Sequence, residues 1–240
     1  MTNLPMISVV TVVFNGKDFL QKTIESVISQ TYPHIEYIVI DGGSTDGTVD
    51  IIKKYEDKIT YWVSEKDNGI YDAMNKAIKV SKGSWLIFMN AGDMFVDKNV
   101  LKKIFIEDKL HLNADVIYSD TIINGNYLYK CDIIKNNVIH QSVIYKKSLH
   151  DEVGYYLVKQ GLMISDYIFF MMIKDKKWVK ANYPISIYNT RGVSNNKLKK
   201  HIYQKTGVDL VFGNIGITNT VIKLFLFPLY RTFKKIILGR

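Results

Sequence analysis

The chain has 240 residues, 47% of them hydrophobic, which suits one α/β domain or one domain with a short appendage. Its net charge of +9 is compatible with nucleic acid, an anionic membrane or phosphorylated substrates as partners. Cys131 is the only cysteine, so an internal disulfide and a cysteine-based zinc site are excluded. This cysteine content fits a reducing cytoplasm.

Strand and helix signals alternate through the first half. Apolar, β-branched runs predict strands at residues 7–14, 35–40, 60–63 and 85–89. Apolar residues at helical spacing predict helices at residues 18–30, 49–55 and 69–80. Such alternation indicates a mostly parallel sheet with right-handed crossovers.

The second half is less regular. It predicts strands at residues 116–120 and 139–145, and an apolar helix at residues 164–173. Residues 178–181 and 185–188 read as a strand pair around Pro184. We expect this half to add a mixed sheet edge and a surface for a second substrate.

The end of the chain differs in composition. From residue 218 onward there are five basic residues and no acidic ones, with apolar residues between them and a helix-breaking Pro228. We predict a domain at 1–216 and a basic amphipathic helical tail at 217–240 that lies on an anionic membrane surface. The alternative is a helix packed on the protein's own core. The short, uncharged start predicts no signal peptide, and no apolar run reaches the roughly 20 residues of a membrane span.

The most informative motif follows the second predicted strand. That strand ends in Asp41, two glycines come next, and Asp46 precedes a predicted helix. In parallel sheets, ligands bind beyond the carboxyl ends of the strands. Carboxylates repel phosphate but accept hydrogen bonds from hydroxyl, ammonium or base N–H groups. The motif therefore favours the nucleoside part of a nucleotide.

Further motifs follow in a fixed order. They span residues 12–15, 41–48, 65–76 and 88–93, with His140-Gln141 and residues 165–167 after them. With these motifs the chain resembles the family 2 glycosyltransferases, inverting enzymes that use nucleotide sugars. The resemblance implies the GT-A fold, a Rossmann-like, mostly parallel sheet flanked by helices. The third motif and the Asn-Ala-Gly-Asp form of the fourth are similar to the branch that builds bacterial surface polysaccharides, such as lipopolysaccharide or capsule.

The resemblance implies a donor site at the carboxyl ends of the first strands. Its expected residues are Thr11, Val13, Asn15, Asp41, Asp46, Asp67 and Arg191. Asp41 is expected at the base or ribose, and Arg191 at the diphosphate. Two alternatives stay open: Asp67 forms a turn with Asn68-Gly69 without any ligand, and Arg191 is a solvated loop charge.

The resemblance also implies a divalent metal, Mn²⁺ or Mg²⁺, at Asp93. The chain departs from the family here, because Asn90 and Gly92 stand where many members carry aspartates. A single carboxylate can still share such an ion with substrate phosphates. A second departure is Met74, which stands where many relatives have an arginine. The contact of that arginine with the phosphate or base is either missing or supplied by Lys66 or Lys76. Alternatively, Lys76 pairs with Asp72 on the helix surface.

By resemblance, Asp166 is the catalytic base that takes the proton of the acceptor hydroxyl. The alternative is a helix cap, since Ser165 and Asp166 precede an apolar helix. His140 and Gln141 are expected near the acceptor or the diphosphate. The alternative for His140 is a structural histidine within the core.

These expectations define one leading function and three alternatives. The leading function is inverting transfer of a sugar, from a UDP-sugar by default, to a hydroxyl of a glycan or lipid-linked acceptor. It would take place in the cytoplasm, on the inner face of the cell membrane. The alternatives are a non-catalytic nucleotide-sugar-binding relative that acts as an assembly partner, a nucleotidyltransferase and a nucleic-acid binder. The stretch Asn15-Gly16-Lys17 is too sparse for a nucleotidyltransferase loop, and no aromatic-basic module supports nucleic-acid binding.

Overall fold

The computed structural model of the protein describes residues 4–190 and 198–216. The predicted tail at 217–240 and Arg191 lie outside the described residues. The strands are β1 (Ile7–Val13), β2 (Ile35–Asp41), β3 (Tyr61–Ser64), β4 (Trp85–Phe88), β5 (Met94–Phe95), β6 (Val116–Tyr118), β7 (Thr121–Ile123), β8 (Tyr127–Tyr129), β9 (Val143–Lys146), β10 (Trp178–Lys180) and β11 (Ser186–Tyr188). The helices are α1 (Lys17–Ile28), α2 (Thr48–Lys54), α3 (Ile70–Val80), α4 (Val100–Lys102), α5 (Leu149–Val153), α6 (Ser165–Met172) and α7 (Leu198–Val211).

The main sheet contains seven strands in the order β10-β6-β9-β4-β1-β2-β3. The strands β4, β1, β2 and β3 pair in parallel, as the alternating sequence predicts. Strand β9 is antiparallel to both β4 and β6, which makes the sheet mixed. Every residue of β1 is buried, because helices cover both faces of the sheet at its centre. The predicted α/β sheet flanked by helices is confirmed.

The two faces of the main sheet have separate apolar clusters. Leu20 and Ile24 of α1 pack on one face together with Phe105, which follows α4. Met74 of α3 and Phe170 of α6 pack on the other face. Helices α3 and α6 therefore lie on the same side of the sheet, and this placement brings their first residues together. No helix within the described ranges has both the length and the apolar character that a bilayer span requires.

A second, smaller sheet has the order β5-β11-β7-β8. The prediction that residues 178–181 and 185–188 pair with each other is wrong, because β10 joins the main sheet and β11 the small one. Ala181 N donates to Tyr118 O (2.8 Å) and continues the β10–β6 pairing, whereas Val96 N donates to Ile185 O (3.1 Å). The turn around Pro184 thus carries the chain from one sheet to the other.

The predicted strand at residues 139–145 is wrong in its first part. His140–Ser142 forms a 3₁₀ turn, and β9 begins only at Val143. Ser142 N donates to Ile139 O (2.9 Å), which closes the turn. The apolar, β-branched sequence favours a strand, but three buried polar side chains are placed in this turn.

Candidate active site

The carboxyl ends of β1 and β2 lie side by side. Val13 is opposite Asp41 in the parallel register, and Gly42 N donates to Val13 O (2.9 Å). Thr11, one pair earlier, is fully buried: its hydroxyl donates to Met89 O (2.8 Å) and lies 3.0 Å from Tyr37 Oη. A ligand at this edge therefore meets the strand ends, and a contact with Thr11 or Val13 stays a prediction.

Asp41 is fully buried and holds the turn that follows β2. Its Oδ2 accepts hydrogen bonds from Ser44 N (2.9 Å), Gly43 N (3.2 Å) and Ser64 Oγ (2.6 Å). Its Oδ1 accepts one from Ser44 Oγ. The carboxylate thus shapes the glycine-rich turn in the free protein, while its predicted contact with a base or ribose stays a prediction.

Asn15 and Asp46 join the loop after β1 to the loop after β2. Asn15 N donates to Ser44 Oγ (2.7 Å), and Asn15 Oδ1 accepts from Thr45 N (3.0 Å). Asp46 accepts from Lys17 N (3.0 Å) and from both the amide and the hydroxyl of Thr48 (3.0 and 2.5 Å). Burial raises the pKa of Asp46, but these hydrogen bonds outweigh it and leave the pKa below its usual value. Asn15 and Asp46, both predicted to bind the nucleotide-sugar donor, therefore also hold the two loops together.

Asp67 lies against the glycine turn. Its Oδ1 accepts from Gly69 N (2.8 Å), the turn that the sequence offers as the alternative. Its Oδ2 would be 2.4 Å from a Cβ placed on Gly42, so a side chain at Gly42 would collide with this carboxylate. Phe14 lies beside the same point and is 64% exposed, which leaves its aromatic ring open to solvent. An exposed aromatic ring and a carboxylate thus both lie next to Gly42.

Lys76 is turned toward the loop before α3. Its Nζ lies 2.7 Å from Glu65 Oε1 and donates to Lys66 O (3.2 Å), whereas Asp72 Oδ2 is 3.9 Å away. The hydrogen bond with Glu65 raises the pKa of Lys76. The predicted Asp72–Lys76 pair is thus weaker than the contact with Glu65, which the sequence spacing did not reveal.

Asp93 follows β4 and is 4% exposed. Its Oδ1 accepts from Asn189 N (2.9 Å), and the Gln141 side chain also hydrogen-bonds to it. Burial raises the pKa of Asp93 to about 8 despite these two partners, because desolvation disfavours the charged carboxylate. A buried carboxyl whose hydrogen bonds do not offset its desolvation is suited to bind a cation.

The donor set at Asp93 is compatible with a shared divalent ion. Residues 4–190 and 198–216 contain no group of three histidine, cysteine or acidic side chains that could hold a metal alone. Within the same residues, the buried Asn90 Oδ1 has no hydrogen-bond partner. A carboxylate and an amide oxygen are hard ligands that Mg²⁺ and Mn²⁺ accept when substrate phosphates complete the shell. The chemical types of these two side chains thus fit an ion that arrives with a diphosphate.

Asp166 is the second residue of α6, and its side chain does not cap that helix. The cap position is Ile164, without a side-chain hydrogen bond, and Ser165 Oγ instead accepts from Leu157 N (2.5 Å). The alternative cap role is therefore wrong. Asp166 Oδ1 accepts from Tyr71 Oη (2.7 Å), and the side chain is 27% exposed. A carboxylate held on one oxygen and open to solvent has the geometry of a general base.

The 3₁₀ turn at residues 140–142 links the two acidic residues. His140 Nδ1 lies 3.8 Å from Asp166 Oδ2, and the next side chain, Gln141, hydrogen-bonds to Asp93. His140 is buried, and desolvation lowers its pKa more than the charge of Asp166 raises it. The imidazole is therefore neutral at pH 7.

The structure adds residues that sequence reasoning missed. Tyr71 was only one letter of a long motif, but it donates to Asp166 from the first turn of α3. Asn75, one turn later, exchanges two hydrogen bonds with the backbone of Tyr156 (2.8 and 3.0 Å). Both residues face inward on an amphipathic helix, and buried polar residues on such a face were the available signal.

Asp93→Asn should make stability less dependent on pH in the metal-free protein. The pKa of Asp93 rises from 3.8 to about 8 on folding, so its contribution to stability is present at low pH and is lost as the pH rises through about 8. A neutral side chain has no such loss. We expect the difference in unfolding free energy, variant minus wild type, to grow by on the order of 1 kcal/mol per pH unit between about pH 5 and pH 7.

Chemical denaturation with a chelator, at several pH values, measures this difference. Asp97→Asn is the matched control, because hydrogen bonds from Asn99 and Lys103 outweigh burial and hold the pKa of Asp97 below its usual value. Its difference from wild type should be constant over the same range. A constant difference for Asp93→Asn would contradict the desolvation of Asp93.

Comparison with solved structures gives proteins of the same fold. TarS of S. aureus, crystallised as residues 1–349 with UDP-GlcNAc, has a TM-score of 0.71 at 18% identity, over 92% of this chain and 71% of TarS. The mannosyltransferase PcManGT of Pyrobaculum calidifontis, in complex with GDP-Man and Mn²⁺, has a TM-score of 0.66 at 13% identity, over 90% of this chain and 66% of that one. At these identities the similarity concerns the fold, which is that of the GT-A glycosyltransferases.

Sequence comparison gives relatives with shared segments. An uncharacterized glycosyltransferase of Mycobacterium tuberculosis is 45% identical over 102 residues, which is 42% of this chain and 39% of the relative. A PGL/p-HBAD biosynthesis glycosyltransferase of the same species is 28% identical over 169 residues, 66% of each chain. The alignments thus span less than two thirds of these relatives. The family model "Glycosyl transferase family 2" matches residues 8–147, more than half of the chain, and the protein belongs to that family.

Proposed function

We propose that the protein transfers a sugar from a nucleoside diphosphate sugar to a hydroxyl group of a glycan or lipid-linked acceptor, with inversion at the anomeric carbon. The observation that carries this proposal is the environment of Asp166. One oxygen of its carboxylate accepts from Tyr71, and the other lies beside the neutral His140 in a partly exposed position. A carboxylate placed in this way can take a proton from an incoming hydroxyl.

The reaction is a single displacement. As the acceptor oxygen bonds to the anomeric carbon, its proton passes to Asp166, and the bond from that carbon to the diphosphate oxygen breaks with its electron pair. Attack on the side opposite the leaving group inverts the configuration. Asp166 therefore belongs on the acceptor side, and Asp93, which Gln141 links to the same 3₁₀ turn, belongs on the leaving-group side.

The donor nucleotide is expected at the ends of β1 and β2. The exposed ring of Phe14 offers a stacking face for a base, and Asp67 offers an acceptor for base or ribose donors. Because Gly42 has no side chain, the Asp67 carboxylate can lie directly against the backbone of the glycine turn. UDP is our default nucleotide, in line with the UDP-GlcNAc complex of TarS.

Asp93 and Asn90 would hold the Mn²⁺ or Mg²⁺ ion, together with diphosphate oxygens. When bound, the ion supplies positive charge that stabilises the leaving diphosphate. The Mn²⁺ complex of the mannosyltransferase PcManGT is consistent with this assignment. The raised pKa of Asp93 implies that the carboxyl releases its proton when it binds a cation near pH 7.

We place the reaction in the synthesis of bacterial surface polysaccharides, at the inner face of the cell membrane. The PGL/p-HBAD biosynthesis relative supports a role in glycan assembly. The basic, apolar sequence at 217–240 supports attachment to an anionic surface, with about 1 kcal/mol from each of its basic residues. A non-catalytic assembly role is the second candidate, and Asn90 and Gly92 in place of carboxylates favour it.

Nucleotide binding can be measured by a thermal-shift screen of the full chain. UDP, GDP, dTDP and CDP are each added with and without Mn²⁺. A ligand at 100 times its dissociation constant stabilises the fold by roughly 2.7 kcal/mol, and we expect this for one nucleotide, with dependence on Mn²⁺. If no nucleotide raises the melting temperature, with or without Mn²⁺, the proposed donor site is contradicted.

Asp166→Asn should abolish turnover while donor binding persists. We expect the rate of transfer to fall by at least about 10²-fold, because the amide cannot take a proton. The thermal shift with the donor nucleotide should match that of wild type. Asp151→Asn is the control, since Asp151 is an exposed acidic residue on α5. Near-wild-type turnover by Asp166→Asn would remove Asp166 from the mechanism.

The tail can be tested with liposomes. A chain truncated after Gly216 should lose most of its binding to anionic vesicles, because it lacks all five basic residues of the tail. Co-sedimentation with vesicles of phosphatidylglycerol and of phosphatidylcholine measures this binding. Equal binding of full-length and truncated protein to the anionic vesicles would contradict the membrane role.

A further inference from the structure

A continuous chain of buried hydrogen bonds begins at His140 and ends at a main-chain carbonyl. His140 Nε2 lies 3.1 Å from Tyr156 Oη, which lies 2.8 Å from Tyr145 Oη. Tyr145 Oη in turn lies 3.0 Å from His150 Nε2. The last contact joins His150 Nδ1 to Gly154 O, at 3.0 Å. Four buried polar side chains are thus joined in one hydrogen-bonded line, which begins next to Asp166.

The carbonyl at the end fixes the direction of every hydrogen bond in this line. Gly154 O can only accept, so His150 Nδ1 carries a proton. Burial lowers the pKa of His150 to about 4, so the ring is neutral at pH 7 and its Nε2 is bare. Tyr145 must therefore donate to His150, and Tyr156 must donate to Tyr145. The oxygen of Tyr156 is then left to accept from His140 Nε2.

This order determines the tautomer of His140. The ring is buried and neutral, so it carries one proton, and that proton is on Nε2. Nδ1 consequently presents a lone pair to Asp166 Oδ2, 3.8 Å away, which is too far for a direct hydrogen bond. The other carboxylate oxygen is already occupied by Tyr71. Two hydrogen-bond acceptors therefore lie 3.8 Å apart, and a group that donates a hydrogen bond to each of them would relieve their repulsion.

We propose that His140 Nδ1 binds a second hydroxyl group of the acceptor, next to the hydroxyl that Asp166 deprotonates. This inference rests on the proposed function and specifies its substrate. Neighbouring hydroxyls of a sugar ring can donate one proton to Asp166 Oδ2 and the other to His140 Nδ1. A diphosphate is excluded at this point, because its oxygens have no proton to donate and would meet a lone pair. The acceptor is thus a sugar with a free hydroxyl beside the one that is glycosylated.

The tautomer can be measured without any substrate. Full-length protein labelled with ¹⁵N-histidine is studied by long-range ¹H–¹⁵N correlation NMR near pH 7.5, and His140→Gln and His150→Gln spectra assign the signals. We expect His140 to be protonated on Nε2 alone and His150 on Nδ1 alone. A His140 ring protonated on Nδ1, or on both nitrogens, would overturn the proposal.

Two adjacent tyrosines distinguish the effect of the hydrogen-bonded line on the His140 tautomer from an effect of packing alone. Tyr156→Phe removes the acceptor of His140 Nε2–H. It should shift the His140 proton toward Nδ1, from which it would point to the Asp166 carboxylate. Tyr155→Phe is the matched control, because Tyr155 stacks on His150 with its ring centroid 5.8 Å away but lies outside the hydrogen-bonded line. An unchanged His140 tautomer in Tyr156→Phe would mean that the line does not orient the ring.

The ligand class is tested on the wild-type protein with two probes. Methyl β-D-glucoside supplies adjacent hydroxyls, and UDP with Mg²⁺ supplies a diphosphate. We expect the glycoside, at high concentration, to shift the Nδ1 signal of His140 toward that of a hydrogen-bonded nitrogen and UDP to leave it unprotonated. No shift with the glycoside, or protonation with UDP, would overturn the assignment. If the tautomer is as expected but no transfer occurs, the proposed function fails and the hydroxyl site stands.

Discussion

The hydrogen bond from Tyr71 to Asp166 is the contact on which the rest of the site depends. Tyr71 lies in the first turn of α3, directly after the turn formed by Asp67 and Gly69, and Asp166 is at the start of α6. The two residues are 95 positions apart in the chain. Their contact joins the loop expected at the donor to the carboxylate expected at the acceptor. A change in the position of α3 would therefore act directly on the Asp166 carboxylate.

Buried polar groups explain why this contact can be rigid. Tyr71 is almost fully buried, and desolvation raises its pKa well above the usual value, followed by the charge of Asp166. The phenol therefore stays protonated and remains a donor at any physiological pH. Asn75 adds a two-way clamp between α3 and the Tyr156 backbone, at 2.8 and 3.0 Å. Unmade hydrogen bonds at such buried positions are costly, so these contacts favour this arrangement of α3 over others.

The sequence predicted the half of the fold that depends on local patterns. The strands that form β1, β2, β3 and β4 are apolar runs separated by amphipathic helices, and parallel pairing follows from that order. The small sheet was not predictable in the same way, because β5 has two residues and β7 and β8 have three each. Strands this short have no measurable periodicity, and their partners are distant in sequence. The predicted pairing of residues 178–181 with 185–188 is wrong for that reason.

In the candidate site, too, the sequence predicted the positions of residues but not their contacts with residues distant in the chain. Residues at strand ends, such as Asp41 and Asp93, could be located from the motifs, because the carboxyl edge of a parallel sheet follows from strand order. The environment of each carboxylate could not, since it comes from distant residues. Asp93 meets Asn189 and Gln141, and one sequence gives no hint of either contact. For Asp166 the residue pattern alone favoured a helix cap and the family resemblance favoured a base, and neither indicated the hydrogen bond from Tyr71.

The 3₁₀ turn at residues 140–142 gives the site its fixed spacing. Consecutive side chains of this turn face different acids: His140 faces Asp166, and Gln141 bonds to Asp93. Ser142 is tied to Ser186 of the small sheet at 2.6 Å, so the turn is held from behind as well. The proposed base and the proposed metal ligand are therefore both contacted by one short segment of backbone. A displacement reaction needs this, because the attacking and leaving oxygens must stay in line across one carbon atom.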